Sequence, residues 1–549
     1  MGRLKGLVFL ILQMLASSAW AKIGYFWHIT DIHYDVNYTI NGDSRRMCWR
    51  PEHGGVSSLR RPAGKYGDYS CDSPWRLVES AARAMKSLHG DNIEFVLWTG
   101  DSIAHVNDDY LSSEKVLMVM QNLTDLLRHT FSSQFVFPVL GNHDFYPQNQ
   151  LPPRRHPMYK KVADMWRHWL PTEAIDSFEK GGYYTIEQKG RRFRLVALNT
   201  NLYYRANHQT IRGGRGFRKV TTTKRGRPWE DGAANEESSA APDEEEDDED
   251  DPAGQWRWLE GVLEKSMRNR ETVYLVGHVP PGVEERSGNA KEPLGSFKER
   301  VNRRYLNLVR KYSHVIVGQF FGHHHSDSFR VIYSEDGLPI SWMFIAPSVT
   351  PWRTPAGANN PGIRLYKFDT NTGQVLDYVQ YYLDLDAANH LDTAEWKVEY
   401  NLTSFYGLSN VSAASLHELA ETFLMGNTPT ASVEPTPPPQ EEVKKSEGAT
   451  ESLDVPLPIV SPMLGVDLFE RYYRANSVGY KQGSAAWGTC SASCRRGHYC
   501  SITQLDYSDY QECMDTPVEV VEPSHSKSQP FKAYMFLPLI LPLIYCVFF

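Results

Sequence analysis

Short apolar runs in this chain stop, one after another, at Asp, Asn or His, and that arrangement limits the folds open to it. Ile23–Ile29 is followed by Asp31-Ile32-His33, and 95–99 by Gly100-Asp101. The run 135–140 leads into Gly141-Asn142-His143-Asp144, and Thr272–Val276 into Gly277-His278. Finally, 314–317 precedes Gly322-His323-His324-His325, while 193–198 is a sixth run of the same kind. Apolar runs of this length read as buried strands. Between them, Trp75–His89 and 113–131 carry helical periodicity, so the expected class is α/β. In such sheets the loops past the carboxyl ends of strands form the ligand crevice, which lets segments far apart in sequence meet. A glycine ahead of a ligand permits a sharp turn and close backbone approach.

The residue types at these ends point to metal. Asp31, His33, Asp101, Asn142, His278, His323 and His325 offer imidazole, carboxylate and amide donors without thiolate, a set suited to zinc, iron or manganese. Seven donors are too many for one tetrahedral ion. Shared between two ions with one carboxylate bridging, they give each ion four. Two metals about 3.5–4 Å apart clamp the attacking and leaving oxygens of phosphoryl transfer. A single D-x-H or G-N-H is commonplace, and a lone strand-end His is usually structural. Five such ends in order are specific.

The order D-x-H, G-D, G-N-H-D, G-H, G-H-x-H resembles that of the calcineurin-like metallophosphoesterases. W-T-G-D-S-I-A-H at 98–105, G-N-H-D-F-Y-P at 141–147 and G-H-V-P-P-G at 277–282 narrow the resemblance to the acid sphingomyelinase branch. The compact N-terminus and apolar tail are similar to its lipid-anchored members. The likeness runs over about 23–420 and the C-terminal Cys segment. It implies a four-layer α/β/β/α sandwich and two Zn²⁺ per chain. Asp31, His33 and His325 would hold one ion, Asn142, His278 and His323 the other, and Asp101 would bridge. His105 matches the leaving-group acid of the family and His143 a histidine that contacts phosphate. His324 departs from the family's usual small residue between the two ligand histidines.

The implied activity is hydrolysis of a phosphodiester by metal-activated hydroxide, on a nucleotide-type substrate or membrane lipid headgroups. Alternatives are a nucleotide or polyphosphate anhydride hydrolase, or a surface protein that binds lipids or receptors. An alkoxide needs a proton from an acid more than an anhydride's leaving group does, which favours the diester. Acid sphingomyelinase carries a saposin-type domain before its catalytic part. Asp31 lies nine residues after Lys22, so no such domain fits and poor extraction of sphingomyelin is expected.

The two ends give an address. Residues 1–21 have Arg3 and Lys5, an apolar stretch over 6–15, and Ala19-Trp20-Ala21, the three parts of a secretory signal peptide. Residues 533–549 are apolar, broken by Pro538 and Pro542, and followed by nothing basic. A spanning helix needs roughly 20 apolar residues. With the polar spacer 527–532 and the small residues Ser524 and Ser526, the pattern is that of a glycosylphosphatidylinositol (GPI) attachment signal, a tail-anchor helix being the alternative. Removing Cys546 with the tail leaves Cys48, Cys71, Cys490, Cys494, Cys500 and Cys513, an even set expected to form disulfides in an oxidising compartment. Cys48–Cys71 is the natural local pair, and a Cys₄ zinc site is the alternative for the last four. Asn37, Asn122, Asn401 and Asn410 sit in N-x-S/T sequons. The expected destination is the outer cell surface, with a secreted form also open.

Organisation follows from composition. Residues 22–385 are assigned to the catalytic domain, interrupted at 210–254 by a charged stretch read as disordered. That stretch holds 7 Lys/Arg and 13 Asp/Glu of a chain whose net charge is −8, so the remainder is near −2 and gives no reason to expect nucleic-acid binding. A helical extension is expected at 386–425, a Pro/Glu/Ser-rich linker at 426–462, a Cys-rich segment at 463–517, and the anchor spacer and tail at 518–549. A monomer is expected.

Overall fold

The computed structural model describes residues 22–40, 42–50, 62–188, 191–210, 251–287, 295–353, 357–424, 467–480 and 490–516. The signal peptide, most of 210–254, the 426–462 linker, and the tail with Ser524 and Ser526 lie outside the described residues.

Strand β1 (Ile23–Ile29) buries six of its seven residues. A strand apolar on both faces belongs in the middle of a covered sheet. It pairs in parallel with β2 (Phe95–Trp98), which pairs in parallel with β3 (Phe135–Pro138). On its other side β12 (Gly362–Asp369) runs antiparallel, followed by β13 (Val375–Leu383) and β14 (Trp396–Asn401). A second six-stranded sheet has the order β4 (Tyr184–Glu187), β5 (Phe193–Ala197), β6 (Thr272–Val276), β7 (Ile316–Phe321), β9 (Pro339–Ile345), β8 (Ser328–Tyr333). The two-residue strands β10 (Trp352–Arg353) and β11 (Gly357–Ala358) form a separate ribbon.

The two sheets meet through aromatic rings. Phe26 lies 5.8 Å from Tyr274 and 5.5 Å from Phe320, ring centre to ring centre. Helix Trp75–His89 covers the outer side of the first sheet, turning Leu77, Val78, Ala81, Ala82 and Met85 inward at helical spacing. Helices Gln255–Asn269 and Glu299–Lys311 cover the second. The result is the α/β/β/α sandwich.

Three expectations change. Strand β7 starts two residues late and runs four further than 314–317, because Gln319 interrupts the apolar run. Gln319 is buried yet satisfied, accepting from the Tyr305 hydroxyl at 2.7 Å and donating to Ser341 Oγ at 2.9 Å. The 386–425 extension is not wholly helical, since β14 completes the first sheet. The charged stretch also ends before residue 254. The Asp251 carboxylate accepts from the backbone N–H of Trp256 at 2.6 Å, and the Ala253 carbonyl accepts from Tyr183 at 2.7 Å.

The Cys-rich segment docks on the second sheet through a buried carboxylate. Glu285 accepts from Arg330 at 3.0 Å, and also from Ser328, Tyr472 and His498. Tyr472 and His498 belong to the segment. Burial would raise the Glu285 carboxyl, but the Arg330 guanidinium and His498 hold it well below the usual range. Cys48–Cys71, Cys490–Cys494 and Cys500–Cys513 are disulfides, so the last four cysteines form no Cys₄ zinc site.

Glu285→Gln strands the buried guanidinium, and a loss of about 3–5 kcal/mol is expected. A depressed carboxyl stabilises above its unfolded pKa, roughly 4.3, and that contribution fades as pH falls through the folded value. Thermal melts of the variant and the parent should therefore converge at acid pH.

Candidate metal centre and catalytic site

All seven expected donors lie at the carboxyl ends of β1, β2, β3, β6 and β7. Asp31, His33, Asp101 and His325 form one group and Asp101, His278 and His323 another, with donor atoms of each within 4.8 Å of one another. Asp101 is common to both. Its Oδ2 is 3.4 Å from His33 Nε2 and 3.1 Å from His278 Nε2. His325 Nε2 is 3.3 Å from Asp31 Oδ1 and 3.1 Å from His33 Nε2. Asn142 Oδ1 lies 2.9 Å from both His278 Nε2 and His323 Nδ1.

The second nitrogen of three imidazoles fixes what the first can do. His33 Nδ1 meets the Ile103 carbonyl at 2.6 Å, His278 Nδ1 that of Thr99 at 2.7 Å, and His325 Nδ1 that of Trp352 at 3.0 Å. A carbonyl only accepts, so each Nδ1 carries the proton and each Nε2 turns a lone pair inward, the tautomer that metal ligation uses. Facing lone pairs and carboxylates need positive charge between them. The same demand appears in the acid–base balance. Burial pushes His33 and His278 down, yet Asp31 and Asp101 beside them draw both up to about 9. The donor set fits divalent cations.

Backbone strain marks the same residues. Asp31, His33, Asp101, His323 and His325 all have φ between 44° and 70°. Left-handed backbone at non-glycine residues costs roughly 1–3 kcal/mol each and persists only where the surroundings enforce it. Part of that enforcement is a shared carboxylate: Asp144 accepts from the N–H groups of Gly141 at 2.8 Å, Asp101 at 3.1 Å and Ser102 at 2.7 Å. Close approach does the rest. A Cβ on Gly322 would stand 2.1 Å from Thr30 Oγ1 and 2.5 Å from Asp31 Oδ2. Gly322→Ala must displace Asp31, and a loss of about 10–100-fold in metal affinity is expected. Metal titration of the folded variant checks this.

His105 sits on the rim of the first donor group, its ring stacked on His33 at 4.0 Å and 4.6 Å from His143. Asp72 holds it twice, accepting from its backbone N–H at 2.7 Å and meeting Nδ1 at 3.1 Å. Nε2 has no hydrogen-bond partner among the described residues. Burial and the neighbouring His33 push the His105 pKa down, while Asp72 opposes them. The backbone N–H of His143 donates to Asp101 Oδ1 at 2.9 Å, and its Nδ1 has no hydrogen-bond partner among the described residues. His324 turns away from the donors: its Nε2 meets Ser296 Oγ at 3.0 Å. The first and third histidines of the run are the converging pair.

Several supporting residues were not singled out from sequence. Asp72 lies 33 residues before His105 with no motif around it. Asn149 orients Asn142 by accepting from its Nδ2 at 2.8 Å. Asp144 stands inside G-N-H-D, so its place was visible though its clamping role was not. Among the sequons, Asn37 and Asn410 are exposed and Asn122 is half-buried. Asn401 is 3% exposed and the most enclosed of the four.

Two facing mixed sheets with His, Asp and Asn donors gathered at their strand ends define a metallophosphoesterase. Comparison with known proteins agrees. The family model described as calcineurin-like phosphoesterase matches residues 24–327, and that of the acid sphingomyelin phosphodiesterase C-terminal region matches 338–431. Acid sphingomyelinase-like phosphodiesterase 3b of Mus musculus is 37% identical over 503 residues, covering 90% of this chain and 91% of the relative. Cyclic GMP-AMP phosphodiesterase of Bos taurus is 33% identical, covering 89% and 90%. Sphingomyelin phosphodiesterase of Bos taurus is 31% identical over 71% of this chain and 56% of its own length. The chain belongs to the calcineurin-like phosphoesterases, and within them to the acid sphingomyelinase-like phosphodiesterases. It is a phosphodiester hydrolase of a family that works through a dinuclear metal site.

Proposed function

We propose that this chain is a dinuclear zinc phosphodiesterase of the outer cell surface, with His105 as the acid that protonates the leaving group. The observation that carries the reading is Asp101, whose carboxylate belongs to both donor groups. Asp31, His33 and His325 would complete one ion's ligands, and Asn142, His278 and His323 the other's. Nitrogen and oxygen donors in this mixture suit zinc. When bound, the pair of cations supplies an acidified water as nucleophile and neutralises charge on the phosphoryl oxygens.

The chain's own groups do the rest. The carbonyls of Ile103, Thr99 and Trp352 keep three imidazoles in the ligating tautomer. Asp72 holds His105 by Nδ1, leaving Nε2 to carry a proton to the departing oxygen. His143, tethered to Asp101 through its N–H, offers a ring atom to a phosphoryl oxygen. The need for that acid favours a diester with an alkoxide leaving group over an anhydride. Nucleotide-type diesters are the preferred substrate class, in line with the cyclic GMP-AMP phosphodiesterase name of one relative. Lipid headgroup diesters are the second class.

For location, the reading is export through the signal peptide at 1–21, glycosylation at Asn37 or Asn410, and lipid attachment at Ser524 or Ser526 of a monomeric ectodomain. The deciding experiment is metal analysis of the purified ectodomain with a panel of aryl diesters, dinucleotides, anhydrides and monoesters. About two zinc ions per chain and preference for diesters are expected. Faster turnover of an aryl monophosphate would sink the diesterase reading. Protein that stays on cells after phospholipase C treatment would sink the GPI anchor.

A further inference from the structure

Trp352 stands beside the path a departing group would take. Its indole meets the His105 ring edge to face, with centroids 4.8 Å apart, and is left half-exposed. Polar contacts along its own backbone fix where it sits. The Trp352 carbonyl accepts from His325 Nδ1 at 3.0 Å, and its strand β10 pairs with β11. Two residues earlier, Thr350 donates to Asp72 at 2.9 Å, and Asp72 is the carboxylate that holds His105. One buried carboxylate therefore registers the acid and the indole together. Among the described residues no other aromatic ring packs on the indole. At the opposite end of the donor groups, Tyr204 lies edge-on to His323, 5.0 Å away.

A flat, half-exposed apolar surface next to a proton donor matches a small hydrophilic alcohol poorly. It matches a planar aromatic group carried on that alcohol well, because every heterocyclic base has a face that stacks. We infer that Trp352 is a specificity-determining residue for the leaving group, stacking on a planar heterocycle such as the base of a departing nucleoside. The inference rests on the reading of His105 as the leaving-group acid, since that sets the side from which the alcohol departs. In a nucleoside a single sugar separates the departing oxygen from the base, a spacing of the same order as that between His105 and the indole.

The test is steady-state kinetics of the metal-loaded enzyme carrying Trp352→Leu or Trp352→Phe, on a dinucleoside monophosphate and on the same diester lacking only the base of the departing nucleoside. Base stacking is worth about 1–3 kcal/mol. The preference for the base-bearing diester in kcat/KM should thus fall roughly 5- to 150-fold in Trp352→Leu and largely survive in Trp352→Phe. Equal losses on both diesters would overturn the inference and leave Trp352 as a prop for His105 and His325. An unchanged preference would overturn it too. Should the parent enzyme hydrolyse neither diester, the diesterase reading itself fails, and equilibrium binding then judges the tryptophan. Tighter binding of adenosine, the free departing alcohol, than of ribose, lost in Trp352→Leu, supports it; equal binding in the parent refutes it.

Discussion

Asp101→Asn is expected to remove both metals from the purified protein and cut diesterase activity by about 10³-fold or more, a change of roughly 4 kcal/mol in the barrier. The substitution keeps the shape of the side chain and removes its charge. An Asn oxygen could still accept from the His143 N–H, a contact now 2.9 Å long, so the loop should keep its path. What disappears is the one negative group that both donor sets share. Burial alone would raise the Asp101 carboxyl, yet His278 and His143 beside it hold it far below the usual range, so it is charged at any working pH. Metal content and turnover should fall together. Normal zinc content with full activity in the variant would exclude a bridging role, and loss of zinc with unchanged turnover would remove the metals from the chemistry.

The donors were legible in the sequence because strand-end ligands carry two local signals: an apolar run before them and, at four of the five ends, a glycine beside them. Asp101 and Asn142 are clear cases. Their supports were not, because a hydrogen-bond partner leaves no periodic trace. Asp72 reaches His105 across 33 residues, and Trp352 reaches His325 across 27. The fold was legible to the same degree. β1 and β6 and the helix Trp75–His89 fall where periodicity puts them, whereas β7 was misplaced by Gln319, a polar residue that tertiary partners satisfy. The docking of the Cys-rich segment was invisible for a further reason. Glu285, Arg330, Tyr472 and His498 come from four remote stretches, and only their burial makes the charge pairing necessary.

His105→Ala should leave both metals in place and slow hydrolysis according to how badly the leaving group needs a proton. General acid catalysis contributes about 10²–10⁴-fold, so alkyl diesters should lose that much while nitrophenyl diesters lose little. The geometry supports this split. His105 belongs to neither group that contains Asp101, although its donor atom lies within 4.8 Å of those of His33 and His325, and its Nδ1 is already engaged by Asp72. Its loss therefore removes a proton carrier without opening the shared carboxylate. Asp72→Asn gives a graded version of the same experiment. The carboxylate raises the His105 pKa against burial and against His33, so the neutral amide should let it fall further. A group that acts as an acid works below its pKa, and the alkaline limb of the pH–rate profile should move to lower pH in Asp72→Asn. Equal losses on alkyl and nitrophenyl diesters in His105→Ala would instead assign His105 to substrate positioning. So would an Asp72→Asn profile whose alkaline limb stays where it was.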